Sequence, residues 1–560
     1  MKSILQNKKT ASLRGRWPEG AIVYQIYPRS FYDSNADGIG DIPGIIQKLD
    51  YLKDLGVNAI WLSPFYPSPM ADFGYDIADY CDVDPIFGNL ADMDRLIRAA
   101  HRRNIKLFAD LVPNHTSDQH EWFRQSRQSR DGKFADWYVW RDPKGWDEKN
   151  QPIAPNNWID LFSCETVWEW EPARQQFYMH SFDVHQPDLD WTNPEVRAAI
   201  KDVMRFWLDR GMDGFRVDAI SFMSKDPELR DEPKNQHYRD DFGWKYLSLD
   251  HIYSVNGPKL YEYLSEMAAV LDEPKYQKPL RFMVTEAYPQ THEHVKEYLG
   301  FYRGMNPKVA APFNFESFSL PWEAEPWRQF LHEFHGALDA FSPLAVASYA
   351  FGNHDQTRLA TRMGDTAARA VAVFLLTLPG MVFIYNGDEI GMQNGKIPPE
   401  MIQDPSAAGD EGRDPERTPL QWSPAKNAGF TTADTPWLPV SEGYETHNIA
   451  SQGRDPSSYL TLYGQLCKLR NTSDALRHGS FAVVQTNNES ILGFVRLKGN
   501  KGYLTLLSFS PETEEVRVPR DIKITRFKLS SDPETKHKKS NDNVVHLLPN
   551  EAAIFTVKLV

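Results

Sequence analysis

The sequence predicts a (β/α)8 barrel with an inserted lid domain and a C-terminal antiparallel β domain. A strand that is buried on both faces is continuously apolar, and repeated alternation of such strands with helices is typical of this barrel. Most of the apolar runs are followed by a segment with helical character. The eight runs cover residues 21–27, 59–64, 106–113, 214–220, 281–288, 311–316, 345–355 and 381–387.

A long interval after the third run, a Pro- and Gly-rich stretch at 388–440 and a change of pattern near residue 480 predict the remaining parts of the fold. The interval between the third and fourth runs is about twice the others and rich in Trp, Pro, Asp and Asn, which indicates a structured insertion. Near residue 480 the helical pattern gives way to short alternating segments, which indicate strands. We therefore expect a catalytic barrel over 1–115 and 187–475, an insertion at 388–440 after the eighth strand, a lid over 116–186 and a β-sandwich over 476–560.

Composition excludes several classes of partner. The 560 residues carry a formal net charge of -14, which argues against nucleic acid because binding its phosphates needs a basic surface. The chain has no run of about 18 apolar residues, and its basic N-terminus lacks the apolar segment of a secretory signal. The three cysteines, Cys81, Cys164 and Cys467, are too few and too scattered for a disulfide framework or a metal cluster. We expect a cytoplasmic monomer or homodimer without a membrane partner.

Charged side chains stand at the ends of several predicted strands. Arg216 and Asp218 alternate in an otherwise apolar run, so they share one face of a strand. Glu286 and Asp355 end two further apolar segments, and His115 follows another. Because the carboxyl ends of barrel strands carry the active site, we expect these groups to form one site.

Two carboxyl groups facing each other across a pocket can cleave a glycosidic bond as nucleophile and general acid/base. Asp218 has the guanidinium of Arg216 two residues away, which favours the ionised form that a nucleophile requires. Glu286 has no basic residue beside it in the sequence, which favours service as the proton donor. Asp355 supplies a third carboxylate that could hold sugar hydroxyls and help to distort the ring.

The segment after the first predicted strand has the oxygen spacing of a calcium loop. Side chains and one carbonyl fall at positions 1, 3, 5, 7 and 9, and Gly38 occupies the sharp-turn position. The loop departs from an EF-hand because Gly44 replaces the bidentate Glu, and we therefore predict a structural Ca²⁺ or Mg²⁺ site. Its expected ligands are Asp33, Asn35, Asp37, the carbonyl of Ile39, and Asp41.

Seven motifs, in order along the chain, resemble glycoside hydrolase family 13, the α-amylase family, and within it the α-glucosidase and oligo-1,6-glucosidase group. The resemblance extends from about residue 15 into the C-terminal domain. The motifs are D-F-G-Y-D (72–76), D-L-V-P-N-H-T-S-D (110–118), Q-P-D-L-D-W (186–191), G-F-R-V-D-A-I (214–220), V-T-E-A-Y (284–288), F-G-N-H-D (351–355) and G-R-D-P-E-R-T-P-L-Q-W (412–422).

The resemblance implies roles for individual residues. Asp218 would be the nucleophile, Glu286 the acid/base and Asp355 the stabiliser of the transition state. No catalytic cofactor is implied, and the metal loop would be structural. The residues expected around the terminal glucose are Asp72, Tyr75, His115, Phe182, Arg216, His354, Arg413 and Arg417. The residue after the nucleophile is Ala219, and in this the chain resembles members of the family that cut α-1,4 bonds.

The leading hypothesis is therefore a retaining exo-α-glucosidase that acts on maltose, short maltooligosaccharides and sucrose, with transglucosylation. The alternatives are an oligo-1,6-glucosidase and a sucrose isomerase or transglucosidase, which use the same carboxyl groups. A third reading is an inactive barrel scaffold, since the family includes transporter subunits; these lack the catalytic carboxylates and have a membrane span.

Overall fold

The computed structural model describes residues 16–239, 244–291, 293–404, 412–535 and 543–560. All eight predicted barrel strands are present; seven lie within their apolar runs, and the strand Ala310–Pro312 begins one residue before its run. In chain order the strands are β1 (Ile22–Ile26), β2 (Ala59–Leu62), β3 (Lys106–Leu111), β4 (Trp140–Arg141), β5 (Gly145–Trp146), β6 (Pro152–Ile153), β7 (Trp168–Glu171), β8 (Gln176–Met179), β9 (Gly214–Val217), β10 (Phe282–Thr285), β11 (Ala310–Pro312), β12 (Ser348–Ala350), β13 (Met381–Tyr385), β14 (Ser480–Val484), β15 (Ile491–Lys498), β16 (Lys501–Ser508), β17 (Glu514–Arg517), β18 (Ile522–Ser530), β19 (Val544–Leu547) and β20 (Ala552–Leu559).

The helices lie mainly between the barrel strands. The longer ones bury apolar side chains, and several begin at a side-chain cap; Asn89, for example, forms a capping box with Asp92. In chain order they are α1 (Ile42–Leu55), α2 (Leu90–Arg102), α3 (Glu121–Ser126), α4 (Pro194–Arg210), α5 (Leu260–Leu271), α6 (His294–Gly304), α7 (Glu316–Ser319), α8 (Ala324–Phe341), α9 (Leu359–Met363), α10 (Asp365–Thr377), α11 (Ile449–Gln452), α12 (Tyr459–Thr472) and α13 (Asp474–His478).

The eight parallel strands form one sheet that closes on itself. Their order is β11-β10-β9-β3-β2-β1-β13-β12, and every adjacent pair is parallel. A parallel bridge between Asn314 and Tyr349, just beyond β11 and within β12, joins the two ends. The strands are almost entirely buried, as their continuous apolar runs require. The sheet is a (β/α)8 barrel, as the sequence predicts.

Two smaller β structures accompany the barrel. Between β3 and β9, the segment that the sequence predicts as a lid contains a three-stranded antiparallel sheet, β4-β8-β7, the pair β5-β6, and a small aromatic core that includes Trp158, Trp168 and Phe177. After α13, the chain forms a five-stranded antiparallel sheet, β14-β15-β16-β20-β18, and the pair β17-β19. The fold class is therefore confirmed, while the domain boundaries stay a prediction.

Helices able to cross a lipid bilayer, judged by length and apolar character, do not occur in the part of the chain that the structure describes.

Candidate active site

Arg216 joins the two carboxyl groups that the sequence predicts as catalytic. Asp218 follows β9 and Glu286 follows β10, and these strands are neighbours in the barrel. Arg216 Nη1 lies 2.5 Å from Asp218 Oδ1, and Nη2 lies 3.0 Å from Glu286 Oε2. Both carboxyl groups thus contact a single guanidinium. They therefore share one small site rather than two cavities.

The electrostatic environment of this pair differs from the one that the sequence predicts. No basic residue stands beside Glu286 in the sequence, but Arg216, 70 positions earlier, is in contact with it. Burial raises the pKa of Asp218 well above its ordinary value, against the opposing charge of Arg216. Asp110, which also contacts Arg216 at 3.1 Å, makes three carboxyl groups around one guanidinium. The negative charges of these carboxylates oppose one another, which adds to the effect of burial on Asp218.

Ala219 adopts a left-handed backbone conformation directly after Asp218, with φ 46° and ψ 34°. This conformation is uncommon for a residue with a Cβ and is characteristic of functional sites. It directs the Ala219 N–H to Glu286 Oε2 at 2.9 Å. Tyr288 donates its hydroxyl to the other oxygen, Oε1, at 3.1 Å. Both oxygens of Glu286 are thereby held in place.

A second group of charges surrounds Asp355, the third predicted carboxylate. Asp355 Oδ1 accepts hydrogen bonds from Arg413 at 3.1 Å and Arg417 at 2.9 Å, and His354 Nε2 lies 3.3 Å from Oδ2. Burial opposes ionisation, but these contacts hold the pKa of Asp355 well below its ordinary value. Arg413 also donates to Asp72 at 2.8 Å. Burial raises the pKa of Asp72 to about 6 in spite of this pairing.

Two neutral imidazole rings and two aromatic rings also belong to this group of residues. Burial lowers the pKa of His115 to about 4 and that of His354 to about 3, so both rings are uncharged at neutral pH. The Tyr75 ring stacks on His354 with centroids 5.3 Å apart, and Phe182 lies 5.1 Å from the ring of His115. Such rings can pack against the apolar face of a sugar.

The structure brings all the predicted catalytic and substrate-binding residues into one connected cluster. Asp110 links its two halves, because it accepts hydrogen bonds from both Tyr75 and Arg216. Sequence reasoning missed Asp110, although it ends β3 in the same way that Asp218 follows β9. It also missed Gln186, which donates to Asp72 at 3.0 Å and lies inside a quoted motif. It missed Tyr288 as well, which ends the quoted motif V-T-E-A-Y, whereas Asp404, bonded to Arg413, carried no comparable signal.

The predicted metal loop is closed by its own backbone. Asp33 accepts three N–H groups of the loop at 2.8 to 2.9 Å, Asp37 accepts that of Ile39, and Asp41 caps α1 through Gly44. Across the described ranges, no three His, Cys, Asp or Glu residues converge in a way that could hold a metal ion. The oxygen donors suit a hard cation by type, and the carboxylates of the loop are bonded to its own backbone N–H groups.

An eight-stranded barrel with two carboxyl groups facing each other beyond adjacent strand ends defines a glycoside hydrolase. The family model for the α-amylase catalytic domain matches residues 25–479. The chain belongs to the α-amylase family, glycoside hydrolase family 13.

Individual relatives align over nearly the whole chain. A probable α-glucosidase of Rhizobium meliloti (strain 1021) is 40% identical over 522 residues, which cover 90% of this chain and 91% of the relative. An oligo-1,6-glucosidase of Parageobacillus thermoglucosidasius is 37% identical and covers 97% of this chain and 99% of its own. Among solved structures, an α-glucosyl transfer enzyme superposes with a TM-score of 0.86 at 36% identity, covering 97% of this chain and 100% of its own.

Proposed function

We propose that the protein is a retaining exo-α-glucosidase that releases α-glucose from the non-reducing end of short α-1,4-linked oligosaccharides and from sucrose. The observation that carries this proposal is the contact of both Asp218 and Glu286 with one guanidinium, that of Arg216. Retaining glycosidases place their carboxyl groups about 5 Å apart, whereas inverting enzymes need a wider gap for water. The close spacing therefore supports the retaining reaction.

In the proposed reaction, Asp218 attacks the anomeric carbon while Glu286 protonates the glycosidic oxygen. The proton that Glu286 gives up would leave with the released sugar. Water, deprotonated by Glu286, then hydrolyses the glucosyl-aspartate. Asp355, kept ionised by Arg413 and Arg417, would stabilise the positive charge that develops on the sugar ring.

The proposed preference for chain ends rests on the charged residues around Asp72. Arg413 bonds Asp72 and Asp355 together, and Asp404 fastens Arg413 in turn at 2.6 Å. Beyond a glucose held by Asp72, Arg413 and Asp355, these linked side chains would leave no room for a further sugar unit. The site would therefore suit the terminal ring of a chain better than an internal one. The small side chain of Ala219 supports α-1,4 over α-1,6 linkage by leaving room beside the bond.

The first test assays Asp218→Asn and Glu286→Gln separately on maltose and on p-nitrophenyl α-glucoside. We expect losses of several powers of ten on maltose, because its leaving group needs both roles. Glu286→Gln should retain more activity on the activated aryl glucoside than on maltose. Circular dichroism checks that both variants are folded. Nearly full activity in either variant would refute the assignment.

Product analysis separates the alternatives that use the same carboxyl groups. Rapid NMR of a maltose digest should detect α-glucose before mutarotation, whereas first-formed β-glucose would exclude the retaining reaction. Faster release of glucose from isomaltose than from maltose would identify an oligo-1,6-glucosidase. Isomerised or lengthened products as the main yield from concentrated sucrose would identify a transglucosidase, the activity in the name of one structural relative.

We further propose that the loop from Asp33 to Asp41 binds a structural Ca²⁺ or Mg²⁺ and that no cofactor takes part in catalysis. The spacing of its oxygen ligands supports the metal, while the backbone contacts of its carboxylates count against it. A chelator should lower the melting temperature, and added Ca²⁺ should restore it, because an ion that binds the native state stabilises it. An unchanged melting temperature with no bound metal by elemental analysis would refute this proposal.

A further inference from the structure

A cavity of about 430 Å³ lies at the face of the barrel opposite the carboxyl cluster. Its walls include Ala347 and Gly380, which directly precede β12 and β13, whereas the cluster lies beyond the carboxyl ends of the strands. Helix α8, the end of α13 and strand β14 form the other walls. The cavity thus lies where the barrel meets the C-terminal sheet. Its volume falls in the range of small-molecule sites, which often occur at such junctions.

Arg496 gives the cavity a buried donor with unused capacity. Its side chain lines the cavity and the residue is 1% exposed. Two of its nitrogens donate to the carbonyls of Thr377 and Gly479, and Nε has no hydrogen-bond partner among the described residues. None of the ion pairs found in the described ranges involves Arg496. A buried N–H without a partner is unfavourable and suits an incoming hydroxyl oxygen.

The rest of the lining combines rings with charges of both signs. The rings of Phe481 in β14 and His335 in α8 both line the cavity, with centroids 4.3 Å apart. Arg477 supplies a cation and Asp339 an anion to the same lining. A strongly charged ligand would meet repulsion from one of these. A neutral sugar has apolar ring faces that can pack on the aromatic rings. Its hydroxyl groups can accept from Arg477 and donate to Asp339.

We propose that this cavity is a second saccharide site, separate from the carboxyl cluster, that takes a neutral mono- or disaccharide. The bound sugar would contact both α8 and β14, so it would tie the barrel to the C-terminal sheet. Occupancy should therefore stabilise the folded chain without entering the reaction.

Gly336 offers a way to block the cavity without disturbing its walls. It lies in α8, lines the cavity, and a Cβ added there would meet no atom within 4 Å. Gly336→Leu would place a side chain in this space, and replacing a helical Gly with Leu also favours the helix. Gly464 in α12 is a matched control, since its Cβ would also meet nothing within 4 Å and it does not line the cavity.

The experiment measures labelled maltose bound to the full-length Asp218→Asn protein by equilibrium dialysis. We expect two maltose molecules per chain, one after adding Gly336→Leu, and two after adding Gly464→Leu. In an otherwise wild-type chain, Gly336→Leu should leave activity on p-nitrophenyl α-glucoside unchanged, which also verifies folding.

A count that Gly336→Leu does not change would overturn the second site. Failure of the proposed glucosidase function gives a different pattern: one maltose per chain in Asp218→Asn, and none after Gly336→Leu. Should the Gly336→Leu protein not fold, crystals of Asp218→Asn soaked in maltose decide the matter. Sugar density between α8 and β14 supports the proposal, and an empty cavity in crystals with an open path to it rejects it.

Discussion

At the scale of single residues, Arg216 organises the candidate site. It is 1% exposed and contacts Asp110, Asp218 and Glu286 through two nitrogens of one planar group. A lysine carries its charge on a single nitrogen and could not span the same three partners. The site therefore depends on the shape of the guanidinium as well as on its charge.

The pKa of Asp72 predicts how affinity for substrate depends on pH. Because burial raises this pKa to about 6, Asp72 becomes protonated as the pH falls through 6 and loses its charge pairing with Arg413. We expect the KM for maltose to rise severalfold between pH 7 and pH 5. Asp72→Asn should have a raised KM throughout and little change across this interval. Initial rates from pH 5 to 8 measure both profiles, and a variant that keeps the wild-type pH dependence of KM would contradict the assignment.

At the scale of secondary-structure elements, Asp188 fastens the segment between β3 and β9 to the barrel. Its carboxylate accepts hydrogen bonds from Asn114, beside His115, and from Ser181, beside Phe182. Lys225, which follows β9, pairs with the same carboxylate at 2.6 Å. One buried carboxylate thus connects three loops that carry site residues.

Removing the cation from this contact should loosen the site. In Lys225→Met the carboxylate of Asp188 stays buried without its charged partner, which typically costs about 3–5 kcal/mol. We expect a KM for maltose raised about tenfold or more, a lower melting temperature, and faster proteolysis between β3 and β9. Lys245→Met is the matched control, because it breaks a surface pair with Glu165. Equal effects of the two substitutions would show that Asp188 does not position these loops.

The elements were predictable from sequence to different degrees. All eight barrel strands could be located because burial on both faces leaves apolar runs, and Asp218, Glu286 and Asp355 stood out as charged ends of such runs. Contacts across the barrel could not be predicted. The pairing of Arg216 with Glu286 joins residues far apart in the chain, and the left-handed backbone of Ala219 depends on its surroundings rather than on its residue type.

At the scale of the whole molecule, the barrel and the C-terminal sheet share a hydrophobic core. Phe494 of β15 belongs to the main barrel cluster and lies 5.9 Å from the ring of Phe374 in α10. Arg328 of α8 donates to the carbonyls of Glu489 and Ile491, just before and at the start of β15. The opposite face of this sheet has a core of its own that includes Phe555.

The shared core predicts that barrel and sheet unfold together, although chains of this length commonly unfold in steps. On heating, loss of far-ultraviolet circular dichroism and loss of activity should coincide at one temperature, because the sheet cannot separate without exposing core of the barrel. Phe494→Ala should lower that temperature in both measurements, since truncating a buried Phe costs about 3–5 kcal/mol. Phe555→Ala, which truncates the outer core, tests the coupling from the other side and should shift both signals as well. If it produced an early partial loss of circular dichroism while activity persisted, the sheet would be an independent unit.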